Sequence, residues 1–297
     1  MYSTSRLLAG ALLIACGAQA QLGLFSPEQR RAITREWTGE RFEDGRPKVP
    51  DSVLERLKTT TAEEAWSVLR QNKYTHQFEG NWQEINPDTT RMVGRVVTAV
   101  FTPARPDLNA YVVEMGKKEG RVSTGQNSWV IDTLKPGDVL VVDLFGKIKD
   151  GTFVGDNLAT SIYTKSKNGL IVDGAVRDVS GISGIEGFKA FVRGVHPSAI
   201  ADVTLAGINV PIRIGEVTVM PGDVVVSDPE GLTFIPPHLA EKVAEVSEQT
   251  QLRDAWGHQM LREGKYTPGQ IDTRWTSAME DEFKRWAEQE KARRLKK

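Results

Sequence analysis

The chain is organised around two neighbouring runs of residues. They are Gly155-Asp156-Asn157-Leu158-Ala159-Thr160-Ser161 and Gly169-Leu170-Ile171-Val172-Asp173-Gly174-Ala175-Val176-Arg177-Asp178. In the first run the glycine and the acid after it predict a turn followed by a helix, and in the second run Leu170 to Val172 predict a buried strand. Open α/β sheets carry their chemistry at the ends of such strands. Asp156, Arg177 and Asp178 therefore predict a site in which a hard metal ion holds a small anionic substrate.

Two similar segments predict further strands of the same core. Each has a Pro-Gly-Asp turn followed by an apolar run, Leu134-Lys135-Pro136-Gly137-Asp138-Val139-Leu140-Val141-Val142-Asp143 and Val219-Met220-Pro221-Gly222-Asp223-Val224-Val225-Val226-Ser227-Asp228. In such turns proline fixes φ and glycine tolerates φ > 0. Continuous rather than alternating apolar runs indicate strands that are buried on both faces. The prediction is a layered α/β core.

The first 20 residues indicate an export signal. Arg6 provides the positive charge, Leu7 to Ala15 form an apolar run too short to span a bilayer, and Ala18-Gln19-Ala20 provides a cleavage site. Leu13-Ile14-Ala15-Cys16 also matches a lipoprotein box, so cleavage before Cys16 with lipidation is the alternative to release after Ala20. Either route predicts a periplasmic or secreted protein.

The remainder divides into three predicted parts. Residues 21–90 form a helical N-terminal segment that begins at the capping sequence Ser26-Pro27-Glu28, although residues 72–87 have no clear period and are predicted as a loop. Residues 91–237 form the α/β core, in which Gly207 to Gly215 predict a strand pair or an edge strand because of Pro211. Residues 238–297 form C-terminal helices.

The composition argues against several classes of protein. Cys16 is the only cysteine, so the mature protein has no disulfide and no thiolate nucleophile or metal ligand. The balance of 38 Lys and Arg against 39 Asp and Glu includes no basic stripe, which argues against nucleic acid as a partner. The four histidines lack zinc-site spacing, and the glycine-rich run from Gly181 to Gly187 matches neither a P-loop nor a dinucleotide motif. No second apolar run reaches the length of a membrane span.

The Arg177–Asp178 pair has a plainer alternative interpretation as a surface ion pair. Its setting favours a site, because Asp156 follows a glycine at a helix start, where free amides attract anions. Two carboxylates completed by water molecules suit Mg²⁺, which keeps much of its hydration shell.

Four motifs, in this order, resemble the 4-hydroxy-4-methyl-2-oxoglutarate aldolase family, which also contains the regulator of ribonuclease activity A. They are Pro-Gly-Asp-Val-Leu-Val-Val from Pro136, Val-Gly-Asp-Asn-Leu-Ala-Thr-Ser from Val154, Asp-Gly-Ala-Val-Arg-Asp-Val from Asp173 and Pro-Gly-Asp-Val-Val-Val-Ser-Asp-Pro-Glu-Gly from Pro221. The resemblance extends over residues 60–264. Its most specific element is the spacing of 177 − 156 = 21 positions between Asp156 and Arg177.

This resemblance implies a compact layered α/β core similar to the swivelling phosphohistidine domain. It also implies trimers or hexamers with active sites between subunits, and a divalent cation, either Mg²⁺ or Mn²⁺. The implied chemistry is that of class II pyruvate aldolases and oxaloacetate decarboxylases, which cleave a C–C bond of a 2-oxo acid and release pyruvate.

The resemblance also assigns residue roles within one subunit. Asp178 is the direct metal ligand, Asp156 holds metal-bound water molecules, and Arg177 binds the pyruvyl oxygens. The backbone amides of Asn157 and Leu158 bind the substrate carboxylate.

Two further acids are implied to come from the neighbouring subunit. Glu64 is the acid of a Thr-x-x-Glu-Ala pattern, and Asp254 lies ten positions before Gly264. The family often has glutamate at the position of Asp254.

The resulting hypothesis is an exported, metal-dependent lyase that acts on a short 2-oxo acid. The alternative is a non-catalytic binding or regulatory oligomer on the same scaffold. The presence of Asp156, Arg177 and Asp178 favours the lyase, and the export signal argues against regulation of a cytoplasmic ribonuclease. The sequence leaves open the physiological substrate, the metal used in the cell, and the choice between trimer and hexamer.

Overall fold

A computed structural model describes residues 25–87, 91–121 and 125–294, so the predicted signal at residues 1–20 and Cys16 lie outside the described residues. The helices are α1 (Pro27–Ile33), α2 (Asp51–Leu57), α3 (Ala62–Gln71), α4 (Pro106–Lys118), α5 (Gln126–Ile131), α6 (Asp156–Ser166), α7 (Val179–Ser183), α8 (Ala240–Arg262), α9 (Pro268–Ile271) and α10 (Ser277–Arg294). The strands are β1 (Phe78–Glu79), β2 (Gln83–Ile85), β3 (Val93–Pro103), β4 (Asp138–Thr152), β5 (Leu170–Val176), β6 (Ala190–Val195), β7 (Val203–Ile208), β8 (Ile212–Ile214), β9 (Val217–Val219), β10 (Val224–Asp228) and β11 (Gly231–Ile235).

A nine-stranded mixed sheet forms the centre of the described fold. Its order is β1-β11-β10-β3-β4-β5-β6-β2, and β7 pairs with β3. The four neighbours β3, β4, β5 and β6 are parallel, and the other pairings in this sheet are antiparallel. β8 and β9 form a separate two-stranded sheet. The parallel centre places the carboxyl ends of β4 and β5 beside each other, where the predicted site begins.

Successive residues of the central strands enter two different hydrophobic cores. Leu140 and Val172 belong to the core that includes side chains of α4 to α7. Val141 and Ile171 belong to the core that includes β8 and β9. Because side chains alternate along a strand, both faces of the sheet are covered. The prediction of a layered α/β core with helical N- and C-terminal extensions is confirmed.

A buried ion pair links the N-terminal segment to the central sheet. The Arg46 side chain is 1% exposed and lies 3.1 Å from Asp138 Oδ1 and 3.0 Å from Asp44 Oδ2. Burial alone would lower the pKa of Arg46, but the Asp138 and Asp44 carboxylates outweigh it and raise this pKa above its ordinary value. Arg46 therefore stays charged and stabilises a buried carboxylate at the start of β4.

Residues 72–87, predicted as a loop, contain two short edge strands. Phe78–Glu79 pairs with β11, and Gln83–Ile85 pairs with β6. The segment from Gly207 to Gly215, predicted as a strand pair or an edge strand, contributes to two sheets: the end of β7 pairs with β3, and β8 pairs with β9. The divisions at residues 90 and 237 stay predictions.

The C-terminal helices contact the fold through α8, which packs against α2 and α3. In the C-terminal half of α8, Trp256 is fully buried, and its ring lies 4.5 Å from that of Trp275 and 6.0 Å from that of Phe283. Within the described ranges no helix has both the length and the apolar character needed to cross a membrane.

Candidate functional site

The end of β5 and the start of α6 lie side by side. Arg177 N donates a hydrogen bond to Val154 O at 3.1 Å, and Phe153 N donates to Ala175 O at 2.8 Å. These backbone bonds hold Gly155, at the N-cap of α6, next to Asp178, at the N-cap of α7. The site thus forms where the two predicted runs meet.

Two carboxylates at this junction pack over two glycines. Asp178 Oδ2 lies so close to Gly155 that a Cβ atom placed there would collide with it. A Cβ atom placed on Gly181, in the first turn of α7, would lie 2.8 Å from Asp156 Oδ2. Each helix start therefore leaves room for the carboxylate of the other. The absence of a side chain at both glycines allows the carboxylates of Asp156 and Asp178 each to lie against the start of the other helix.

Asp178 adopts a backbone conformation that is uncommon for a residue with a side chain. Its φ of 54° and ψ of 42° lie in the left-handed region. Such conformations carry strain and recur at functional sites, and aspartate and asparagine tolerate them better than most residues. This conformation turns the chain sharply after β5.

The side chains of Arg177 and Asp178 remain accessible to solvent. Arg177 Nε lies 3.7 Å from Asp178 Oδ2, and the two side chains are 43% and 47% exposed. An ion pair of this kind contributes little to stability because water screens it. The pair is therefore free to rearrange around a ligand, and its contribution to folding does not explain the arrangement.

The start of α6 differs in one respect from the predicted substrate contact. Asn157 N, predicted to bind a carboxylate, donates to Asp156 Oδ1 at 2.8 Å. Gly155 provides no side-chain cap, so amides of the first helical turn lack a capping side chain. An incoming carboxylate at Asn157 would have to displace Asp156 Oδ1. Leu158 lies one residue further along and packs partly against the core.

Glu64 lies at the other side of the fold, where α3 meets α8. Its Oε2 accepts hydrogen bonds from Thr61 N at 2.9 Å and from Gln251 Nε2 at 3.1 Å. Asp254 is exposed on α8, three residues after Gln251, and lines a cavity of about 590 Å³. α3 packs on β10 and β11, whereas α6 packs on β4, so one subunit does not bring these acids to Asp156. Their roles across a subunit interface stay predictions.

The residues at the junction fit a hydrated hard cation. Among the described residues, groups of three or more His, Cys, Asp or Glu side chains suited to a metal are absent. The Asp156–Asp178 junction supplies two carboxylates. Mg²⁺ commonly binds proteins through one or two carboxylates and completes its shell with water and substrate oxygens. The two carboxylates could therefore hold a hydrated cation of this kind.

The sequence alone did not assign a role to Gly181. The glycine-rich run that contains it matches no phosphate-binding motif, and its contact with Asp156 depends on the packing of α6 against α7. The sequence feature that could have indicated this role is the position of Gly181, three residues after Asp178 and in the first turn of the next helix.

Fold and site together define a mixed α/β protein with a carboxylate pair and an arginine at the strand ends. The family model described as Aldolase/RraA, or RraA-like, matches residues 56–234, and the chain belongs to this family. Asp156, Arg177, Asp178 and Glu64 lie inside the matched region, whereas Asp254 lies outside it. The resemblance found in the sequence motifs is confirmed.

The match to a named relative agrees with this assignment. The chain is 34% identical over 137 residues to a protein of Halalkalibacterium halodurans named "Putative 4-hydroxy-4-methyl-2-oxoglutarate aldolase". The match covers 45% of this chain and 64% of that protein, which is less than two thirds of the relative's length.

Solved structures support the fold. An uncharacterized protein from Pseudomonas syringae pathovar tomato superposes with a TM-score of 0.63 at 22% identity, over 80% of this chain and 99% of its own. Streptomyces coelicolor RraAS2, described as an unusual member of the RNase ES inhibitor RraA family, gives a TM-score of 0.56 at 23% identity, over 73% and 98%. At these identities the likeness establishes the fold alone.

Proposed function

We propose that this chain is a divalent-metal-dependent lyase that cleaves a C–C bond of a short 2-oxo acid and releases pyruvate. The observation that carries the proposal is the convergence of Asp156 and Asp178 over Gly181 and Gly155, beside an exposed Arg177. Membership of the Aldolase/RraA family and the name of the Halalkalibacterium relative support it.

The metal would be held by Asp178 directly and by Asp156 through water molecules. A cation such as Mg²⁺ or Mn²⁺ supplies Lewis-acid stabilisation of the negative charge that develops when a bond next to a 2-oxo acid breaks. Asp156 Oδ1 now accepts from Asn157 N, so the same carboxylate is already fixed on the side of α6 that faces α7.

Arg177 would orient the substrate. Its guanidinium has a planar fork that can donate two parallel hydrogen bonds to a carboxylate or to the oxo and carboxylate oxygens of a 2-oxo acid. Once it is held by the substrate, this permanent positive charge would also stabilise the negative charge that develops in the transition state. Its 43% exposure leaves the donors available to a ligand.

Export and self-assembly complete the proposal. The segment 1–20 would direct the chain to the periplasm or the exterior, with release after Ala20 or lipidation at Cys16. Trimers or hexamers would bring Glu64 and Asp254 of one subunit to the Asp156–Asp178 junction of the next.

A coupled assay tests the activity. Pyruvate release from oxaloacetate and from 4-hydroxy-4-methyl-2-oxoglutarate is followed with lactate dehydrogenase and NADH, with Mg²⁺ or Mn²⁺, with EDTA, and without protein to subtract spontaneous decarboxylation. We expect turnover that requires the cation and is abolished by EDTA. Absence of turnover with either substrate and either metal would favour the non-catalytic binding oligomer instead.

Gly155→Ala should lower turnover by about tenfold to a hundredfold, because the new Cβ atom displaces Asp178 and small misplacements in an active site are costly. The φ of Gly155 is −108°, which alanine adopts, so the fold should persist. Gly184→Ala is the matched control, since its Cβ atom has only ordinary contacts, the nearest at 3.4 Å. Equal pyruvate release by wild type and Gly155→Ala would contradict the site.

Subunit mixing tests the shared active site. Glu64→Gln and Asp178→Asn should each be inactive, but refolding or exchanging the two together should restore activity at about one quarter of the sites, because some interfaces then pair an intact Glu64 with an intact Asp178. Light scattering of the same samples reports the oligomer. An active monomer, or a mixture no more active than its components, would exclude a site between subunits.

A further inference from the structure

A second cavity lies between the N-terminal segment and the turn before β10. Its volume is about 250 Å³, and its walls include Ile33, Glu36, Tyr74, Met220, Asp223 and His238. Three of these residues, Ile33, Glu36 and His238, lie outside the region matched by the family model, residues 56–234. We call it the Asp223 cavity. Its location separates it from the Asp156–Asp178 junction.

Asp223 occupies the same place in its turn as Asp138 does in the other Pro-Gly-Asp segment. Met220 N donates to Asp223 Oδ2 at 2.8 Å, just as Lys135 N donates to Asp138 Oδ2 at 2.8 Å. Both aspartates are buried, with 2% and 0% of the residue exposed. The two local structures are therefore equivalent.

The partners of the two aspartates differ. The guanidinium of Arg46 contacts both oxygens of Asp138, at 3.1 and 3.2 Å. No lysine or arginine of the described residues pairs with Asp223 or lines its cavity. A buried carboxylate without a cation is costly unless it is protonated or a ligand supplies the charge. Asp223 thus has the position of a paired acid without its counterion.

The other polar groups around the cavity do not supply that charge. Burial lowers the pKa of His238, which favours its neutral form, and Tyr74 Oη lies 3.4 Å from His238 Nε2. Burial, followed by the Glu36 and Asp223 carboxylates, raises the pKa of Tyr74, which favours the neutral phenol. Glu36 is 65% exposed and lies 3.5 Å from Arg35 Nε, which places it at the open side.

We propose that the Asp223 cavity binds a small organic cation, a protonated amine on a short hydrocarbon chain, with the ammonium beside Asp223. Ile33, Met220, Pro236 and Pro237 provide apolar walls for the hydrocarbon, which a hydrated metal ion would not need. Tyr74, an aromatic residue of the kind that attracts cations, also lines the cavity. The volume is below that of usual sites for drug-sized ligands, which limits the ligand to a small molecule. This inference does not rest on the proposed lyase activity.

Calorimetric titration with alkylammonium chlorides from methyl- to n-hexylammonium, at pH 7, tests the proposal on the full chain. We expect saturable binding of at least one member, one per chain, with no matching binding of n-butanol or butyrate. Asp223→Asn should weaken binding by at least about tenfold, since it removes a charged hydrogen-bond acceptor. Asp132→Asn makes the same change at an exposed residue away from the cavity and should leave affinity unchanged.

Two further measurements keep the test independent of folding. Glu36→Gln alters an exposed side chain and should weaken binding by at most about fivefold. Burial raises the pKa of Asp223 to about 8, so the free protein holds a proton there at pH 7 and a bound cation should release it. Potentiometric titration in weakly buffered sodium chloride, free of amine buffers, reports that release directly.

The proposal would be overturned by any of three results. They are unchanged affinity in a folded Asp223→Asn protein, equal binding of n-butanol, and no saturable binding by any alkylammonium in the series.

Discussion

Asp178→Asn should lower metal-dependent pyruvate release by about a thousandfold or more while leaving the fold intact. Asparagine keeps the size of the side chain but removes the charge that would hold the cation. It also tolerates the left-handed backbone at φ 54° better than most residues, so the turn after β5 should persist. Because the Asp178 side chain is 47% exposed, its loss of charge removes little folding energy.

Three measurements on the same protein decide this prediction: turnover, Mn²⁺ affinity by calorimetry, and melting temperature. Asp202→Asn is a matched control, since Asp202 is also exposed and also has a φ of 54°, away from the junction. It should behave as wild type in all three. An Asp178→Asn protein with normal metal-dependent turnover would rule out the assignment of Asp178 as the metal ligand.

Arg177→Lys separates substrate orientation by Arg177 from metal binding by Asp178, and the same three measurements apply to it. Lysine keeps the positive charge and loses the planar fork, so metal affinity should stay near wild type while turnover falls. If the Arg177–Asp178 pair were only a surface ion pair, worth about 0–1 kcal/mol, neither variant would change turnover.

The central strands and the convergence of the site could be predicted because the information is local. Apolar runs in β4, β5 and β10 are continuous since both faces of the sheet are covered. The order glycine, acid, strand, Arg-Asp places Asp156 and Asp178 at one edge whenever the intervening strand joins a parallel sheet. Short-range sequence patterns were therefore sufficient to predict β5 and the start of α6.

The edge strands and the supporting contacts could not be predicted because their partners are distant in the chain. β1 has two residues and β2 has three, too few to display a period, and they form only because β11 and β6 offer free edges. The contact of Gly181 with Asp156 likewise depends on how two helices pack. The two Pro-Gly-Asp turns look alike, yet Arg46 reaches Asp138 from 92 positions away and leaves Asp223 without a cation.

This difference between the two turns predicts opposite changes in stability for the same substitution. Asp138→Asn should destabilise the protein by about 3–5 kcal/mol, because it leaves the buried Arg46 without its main counterion. Asp223→Asn should stabilise the ligand-free protein at pH 8 by on the order of 3–5 kcal/mol, because asparagine keeps the bond from Met220 N and removes a group that ionises in an apolar site.

The pH dependence of the Asp223→Asn effect follows from the direction of the pKa shift. Burial raises the pKa of Asp223 from 3.8 to about 8. Between these pH values the folded chain keeps a proton on Asp223 that the unfolded chain has lost. The contribution of Asp223 to the stability of the wild-type fold therefore becomes less favourable as pH rises. The gain from Asp223→Asn should thus be near zero at pH 4 and grow up to pH 8. Urea unfolding of both variants at these two pH values, after dialysis to remove bound amines, measures it, because urea is a neutral denaturant and does not act as a cationic ligand. If Asp223→Asn destabilised the dialysed protein at pH 8 as Asp138→Asn does, Asp223 would have to be held in its charged form by a permanent partner, and the equivalence of the two turns would extend to their counterions.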